Sequence, residues 1–258
     1  GLGVVYKRQA WGLICDRHNA WPSARFGVEK GFQCYYLKVG NDTAREPAML
    51  SAVRKTIGPA GKLRIDANQA WTVAEARQVL PKWHEEFNID FVEAPVRIEP
   101  VENMLDLKTA LPVPLCVNEG LWTESEAYRV IRSRCGDVLC FSSYWVGPLQ
   151  RFLSLCRIAH LEGWQVCKHT HGELGLAAAA GQHAMLSIPN ASEGIQQTAY
   201  MMQDDLLVEP LPIASGPNWG KIAGPGLGIA VDEDKVRQYA ELYKEIGQFM
   251  PYEVNAEE

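Results

Sequence analysis

The sequence has no C-x-x-C pair, no run of Lys and Arg, no apolar stretch long enough for a bilayer, and no G-x-G-x-x-G turn after an apolar, strand-like segment. Each absence removes a class of protein. The seven cysteines (Cys15, Cys34, Cys116, Cys135, Cys140, Cys156 and Cys167) are odd in number. Cys116, Cys140 and Cys167 sit in β-rich apolar runs, where a free thiol packs as a small hydrophobe. Buried, reduced thiols in a cytoplasmic protein are therefore expected, rather than a disulfide framework or a zinc knuckle. A formal charge of −6 with no basic block argues against nucleic-acid and anionic-membrane partners. Apolar runs such as Leu174 to Ala180 fall far short of the ~20 residues of a membrane span. The first residues lack the charged and apolar regions of a secretory signal.

What is present is a globular composition: 258 residues, 47% of them hydrophobic and 22% charged, enough for a sizeable core and too apolar for disorder. Strand-like runs lie at Tyr35–Val39, Leu63–Asp66, Phe91–Glu93, Leu115–Asn118, Val138–Ser142, Trp164–Lys168 and, weakly, Glu193–Thr198. A vague eighth lies around Trp11–Cys15. Helical patterns fill the gaps at Ala44–Ile57, Val73–Phe87, Pro100–Ala110, Ser125–Arg134, Leu149–Glu162 and Leu174–Leu186. Thr72-Val-Ala-Glu75 carries a capping Thr with an acid three residues on, a helix-start signature. Strands recur every 23 to 29 residues, the rhythm of βα units in a parallel sheet.

Two parallel architectures compete. A doubly wound sheet usually has a glycine-rich turn after its first strand, and here Gly224-Pro-Gly-Leu-Gly228 comes too late. In a TIM-type α/β barrel, catalytic groups end successive strands, and Lys38, Asp66, Glu93, Glu119, Ser142 and His169 do so here. The barrel is therefore expected over residues 23–202. Residues 1–22 read as an unclear N-terminal remnant. Residues 203–258 read as a C-terminal segment, extended and Pro-rich to Gly228, then helical from Asp232.

Asp66, Glu93 and Glu119 follow one another at 27 and 26 residues, about one βα unit each, so all three reach the same rim. Converging carboxylates repel unless a hard divalent ion neutralises them, and all-oxygen ligation suits Mg²⁺. Lys38, on the preceding strand, is a usable base if its pKa is lowered. His169 would lie opposite it across the metal. His169 and His171 also form an H-x-H pair, which leaves a zinc hydrolase as an alternative. His18, His84, His160 and His183 read as structural.

These residues resemble the enolase superfamily, and within it the mandelate racemase/muconate lactonizing enzyme-like group (mandelate racemase subgroup). The resemblance covers residues 25–232. It is carried by Leu37-Lys-Val-Gly40, Asp66-Ala-Asn-Gln-Ala-Trp71, Val92-Glu-Ala-Pro95, Asn118-Glu-Gly120, His169 to Gly175 and Pro225-Gly-Leu-Gly228. It implies a (β/α)7β barrel with Mg²⁺ on Asp66, Glu93 and Glu119, and Lys38 and His169 as the acid/base pair. Glu193, Tyr36, Asn68, Ser142 and His171 would meet a small-molecule carboxylate. The implied chemistry is abstraction of a proton α to that carboxylate with enediolate stabilisation. Dehydration of a sugar acid is favoured; racemisation, epimerisation, cycloisomerisation and a non-catalytic truncated barrel remain alternatives. A homo-oligomer is the expected state.

Three departures from the family pattern stand out. The first lysine of a Lys-x-Lys is replaced in Tyr36-Leu-Lys38. Ser142 stands where an aspartate usually partners the histidine, so His169 is expected to hold its proton less tightly, unless an acid such as Glu173 approaches. The N-terminal capping domain of the family is expected to be absent from this chain, leaving an apolar surface around Trp145 and Trp219.

Overall fold

The computed structural model describes residues 11–15, 20–170, 172–192, 194–196, 202, 204–211 and 222–247. Strand and helix alternate from the start: β1 (Trp11–Cys15), α1 (Ala20–Glu29), β2 (Cys34–Lys38), α2 (Glu46–Ile57), β3 (Lys62–Asp66), α3 (Val73–Phe87), β4 (Ile89–Glu93) and α4 (Glu102–Ala110). They continue as β5 (Leu115–Val117), α5 (Glu124–Ser133), β6 (Val138–Phe141), α6 (Leu149–Leu161), β7 (Gln165–Lys168), α7 (Gly175–Ser187) and β8 (Ile195–Gln196), followed by α8 (Glu233–Ile246). The weak eighth strand of the sequence is thus β1. Helix α1 has no counterpart in the sequence pattern; its Pro22 lies in the first turn, where the missing N–H is tolerated.

Every strand pair is parallel, in the order β7-β6-β5-β4-β3-β2-β1-β8. The ring closes just before β8, where Val166 bridges Ala191, Val166 N donates to Asn190 O (2.9 Å) and Ser192 N donates to Val166 O (2.7 Å). The architecture is a (β/α)7β barrel with a C-terminal extended and helical segment. Two helices begin with the same device. Thr72 and Glu75 cap α3 reciprocally, and Thr123 and Glu126 do so for α5, each cap contributing about 1 kcal/mol.

Alternation along the strands separates two cores. Tyr35, Leu37, Leu63, Ile65, Val92, Leu115, Val117, Leu139, Phe141 and Val166 belong to the large layer between barrel and helices. Cys34, Tyr36, Phe91, Cys116, Val138, Cys140 and Cys167 form a second, smaller cluster that fills the barrel itself. Arg64 lies among them, 1% exposed. Its guanidinium reaches Asp90 (2.8 Å), Gly194 O (3.0 Å), the Tyr36 hydroxyl (3.2 Å) and Ser192 Oγ (3.3 Å), and sits 4.3 Å over the Phe91 ring. The Cys167 thiol, 3.0 Å from the Tyr36 hydroxyl, feels burial pushing its pKa up. The Cys140 hydrogen bond, the Arg64 charge and the Tyr36 hydroxyl outweigh that burial and hold it down to about 6.

The C-terminal segment docks on this frame. Asp205 accepts from Gly175 N at the start of α7 (2.9 Å), Leu207 is buried and bridges Val231, and Asp204 takes Lys235 (2.5 Å) and the Tyr239 hydroxyl (2.7 Å) from α8. Among the described residues, no helix is long and apolar enough to cross a membrane.

Arg64 anchors four elements from inside the barrel. Arg64→Ala should lower stability by about 3–5 kcal/mol, the range for emptying a large buried side chain. Urea unfolding should show this as a lower midpoint at constant slope. Arg64→Lys should recover less than half of the loss, because one ammonium cannot serve acceptors on several sides of a planar fork.

Candidate active site

The barrel mouth continues the phase of the interior. Tyr36, Arg64, Phe91, Cys116, Cys140 and Cys167 fill the barrel, and two residues after each come Lys38, Asp66, Glu93, Asn118, Ser142 and His169. Backbone pairing sets Lys38 level with Asp66, and Asp66 level with Glu93. Glu119 is one residue out of phase, past the end of β5. The turn at Gly120 (φ 84°) packs against Ile98 there.

Lys38 Nζ pairs with the Asp66 carboxylate and donates to Asn68 Oδ1 (2.9 Å). Its side chain is 40% exposed, so the ammonium faces the open mouth. Asn68 N returns a hydrogen bond to Asp66 Oδ1 (2.9 Å), which requires positive φ at Asn68 (44°) and Gln69 (62°). The Asn68 side chain also favours the charged form of Glu119. Glu93 is 1% exposed, and its Oε2 and that of Glu119 are buried without a hydrogen-bond partner.

The electrostatics follow from this crowding. Burial, and then the Asp66 charge, pushes the Glu93 carboxyl well above the usual carboxylate range. Burial is also the main reason the Glu119 carboxyl is raised, with Asp66 adding to it. For Lys38, burial pulls downward, but the Asp66 and Glu93 carboxylates outweigh it and raise the pKa. The lowered lysine pKa expected from the sequence is therefore not found while the carboxylate charges stand uncompensated.

Across the mouth, Ser142 Oγ lies 3.3 Å from His169 Nδ1 and equally close to the His169 carbonyl oxygen. Trp145 covers the imidazole at a ring separation of 4.7 Å, and Trp122 lies 4.3 Å from Trp145. Trp122 and Tyr144 are exposed around it. Sequence reasoning placed Trp145 on the apolar surface expected beneath a capping domain; its spacing from Ser142 is the signal that ties it to His169.

The Glu173 carboxylate pairs with Lys168 Nζ at 2.5 Å, both side chains 2% exposed. Lys168 alternates to the outer side of β7, where Gly181 leaves it room; a Cβ there would lie 2.2 Å from Lys168 Cε. Tyr36 does not line the mouth, because it sits one layer below Lys38 with its hydroxyl taken up by Cys167 and Arg64. Glu193, His171 and Trp219 lie outside the described residues.

A pH dependence follows. Because the folded Glu93 pKa is raised, the folded chain binds its proton more tightly than the unfolded chain does. In chelator, that contribution is full below the unfolded carboxylate pKa of about 4.3 and is lost as pH rises toward the folded value. Glu93→Gln should match the parent in melting temperature near about pH 4 and exceed it near about pH 8. A constant difference across that interval would remove Glu93 as the cause.

Three comparisons bear on this geometry. The family model described as enolase C-terminal domain-like matches residues 23–235. The chain is 25% identical over 227 residues to an N-succinyl-L-Arg/Lys racemase of Bacillus cereus, covering 87% of this chain and 60% of that protein. It is also 25% identical over 238 residues to a probable glucarate dehydratase of Streptomyces coelicolor, covering 91% of this chain and 53% of that one. The chain thus spans about half to three-fifths of the length of these relatives. The crystal structure of an isomerase from Streptomyces coelicolor superposes with a TM-score of 0.83 at 29% identity, over 93% of this chain and 67% of that one. By the match to residues 23–235, the chain belongs to the enolase C-terminal domain-like family.

Proposed function

We propose that this barrel abstracts the proton α to the carboxylate of a small acid, dependent on Mg²⁺, and that the reaction is dehydration of a sugar acid. The observation that carries the reading is the order of groups around the mouth. Asp66, Glu93 and Glu119 occupy one arc at β3, β4 and β5, with Lys38 at its near end on β2 and the Ser142–His169 pair at its far end on β6 and β7. Two buried carboxylate oxygens without a partner, on groups whose burial resists ionisation, fit a hard divalent cation held by Asp66, Glu93 and Glu119. Such an ion would supply Lewis-acid stabilisation of the charge that develops on the substrate carboxylate.

Lys38 is the base in this reading. Once the charges of Asp66 and Glu93 are taken up, burial is the largest influence left on the ammonium, and it lowers the pKa. Asn68 and Asp66 fix where Nζ stands. His169 faces the substrate from the other side. With a serine at Nδ1 rather than a carboxylate, the imidazolium is a stronger acid, and its role is to give its proton to the departing β-hydroxyl, which leaves as water and leaves a neutral ring. Trp145, Trp122 and Tyr144 give the mouth an apolar wall on that side, suited to the C–H face of a sugar chain. Racemisation or epimerisation is the second reading, since the names of the relatives span both reaction types.

The test is exchange of α-protons for deuterium in D₂O across a panel of acid sugars, hydroxy acids and N-acyl amino acids with Mg²⁺ present. Dehydration gives a 2-keto-3-deoxy acid with solvent deuterium at C3; racemisation gives the labelled epimer. Lys38→Ala and His169→Ala should each lose about 10²–10⁴-fold in turnover, while Mg²⁺ still raises the melting temperature. No exchange with any carboxylate would favour the non-catalytic barrel.

Ser142→Asp tests the serine's part. A carboxylate beside Nδ1 favours the imidazolium, so the NMR titration of His169 should move to higher pH and the balance of products toward epimerisation. An unchanged titration would detach Ser142 from the role of His169.

A further inference from the structure

Glu93 faces two different neighbourhoods. Toward the mouth stand Asp66 and Lys38; within the barrel stand thiols. Register sets Glu93 level with Cys116 on β5. The Cys140 thiol on β6 interacts electrostatically with Cys116, Cys167 and Glu93, and Gln196 Nε2 donates to its Sγ at 3.4 Å. A carboxylate oxygen of Glu93, Cys116 Sγ and Cys140 Sγ all lie within 4.8 Å of one another. None of the three residues is more than 1% exposed, and Glu93 Oε2 has no hydrogen-bond partner.

We propose that Glu93, Cys116 and Cys140 form a second metal site, inside the barrel beneath the carboxylate rim, for a soft divalent cation of the Zn²⁺ or Cd²⁺ kind. Two sulfurs and one oxygen are the donors such ions prefer, and Mg²⁺ has little use for them. Bonds of about 2.3 Å to sulfur and about 2.0–2.2 Å to oxygen put two donors of a tetrahedral site roughly 3.5–4 Å apart. Atoms already within 4.8 Å need move little to reach that spacing. Each thiol gives its proton to solvent as its sulfur bonds the ion. The fourth position opens toward Cys167 or a water. Entry is through the mouth, past the exposed Lys38 side chain.

One consequence rests on the function proposed above. Both ions would draw on the one Glu93 carboxylate, so a soft ion would weaken its hold on Mg²⁺ and lower the activity.

The experiment uses the full chain, reduced and stripped of metal. Cd²⁺ titration should give a saturable thiolate-to-cadmium absorption band at one equivalent. Cys140→Ser and Cys116→Ser should each abolish the stoichiometric phase, and Glu93→Gln should weaken it at least about tenfold, the least that loss of a supporting group costs a metal site. Cys156→Ser, whose thiol is buried in α6 outside the barrel interior, should keep it. Circular dichroism confirms that each variant is folded. No saturable band in the parent, or an equal band in Cys140→Ser, overturns the site. Saturating Mg²⁺ should shift the titration to higher Cd²⁺; a cysteine-dependent band indifferent to Mg²⁺ upholds the thiol site and overturns the sharing of Glu93. Failure of the Mg²⁺ reading is seen separately, as a melting temperature that Mg²⁺ alone does not raise.

Discussion

Hydrogen-bonded register across β2, β3 and β4 is the constraint on which the site depends. It holds Lys38, Asp66 and Glu93 side by side at one height, with neighbouring strands about 4.8 Å apart. A slip of one residue on any of these strands would turn its ionisable group outward into the layer of Leu37, Ile65 and Val92 and bring an aliphatic side chain into the mouth. The large outer core is what forbids that slip, since it would expose apolar surface worth about 25 cal/mol per Å². The packing that stabilises the barrel and the alignment that makes a charged rim are one and the same pattern.

Charge at this density needs compensation from below as well as from a ligand. Asp66 and Arg64 are two residues apart on β3 and point the same way, so the rim carboxylates stand above a buried guanidinium. Arg64 is held in turn by Asp90, by Tyr36, and by two groups from the segment that closes the ring, Ser192 and Gly194. The apolar interior of the barrel therefore encloses a polar centre, and that centre ties the first half of the chain to the last strand. Gly194 has no room for a side chain there: a Cβ would sit 2.6 Å from Cys34 Sγ, at a φ of 75°.

How much of this was legible depends on whether the signal is local. The rim was legible because each ionisable residue ends an apolar run, and the βα rhythm puts the runs in phase. Helix α1 was not, because Trp21-Pro-Ser-Ala24 reads in sequence as a break, and only the helix start at Ala20 puts Pro22 in the first turn, where it is tolerated. Tyr36 was misjudged because sequence order shows that it faces the barrel but not how deep it sits. The partner of Glu173 was open for a similar reason: it lies four residues after His169, but alternation sends Lys168 to the outer side of β7, and the carboxylate pairs with it there. The Cys116–Cys140 neighbourhood is invisible to any motif scan, since the two thiols come from adjacent strands a whole βα unit apart.

The two faces of β7 show how such non-local arrangement serves a site. Cys167 faces the interior hydrogen bonds, Lys168 the outer helix layer, and His169 the mouth. Lys168 Nζ donates to the His169 carbonyl oxygen at 3.2 Å as well as to Glu173, so the buried ion pair grips the backbone that carries the imidazole. A buried pair of this kind adds little net stability, because desolvation offsets the attraction. Its value lies in direction: a charged group with no water to turn to accepts one geometry, and the imidazole inherits it. Ser142 and Trp145 then constrain the ring from its other sides. The histidine is held by Lys168 at the end of β7, by Glu173 ahead of α7, and by Ser142 and Trp145 after β6, rather than by its own loop alone.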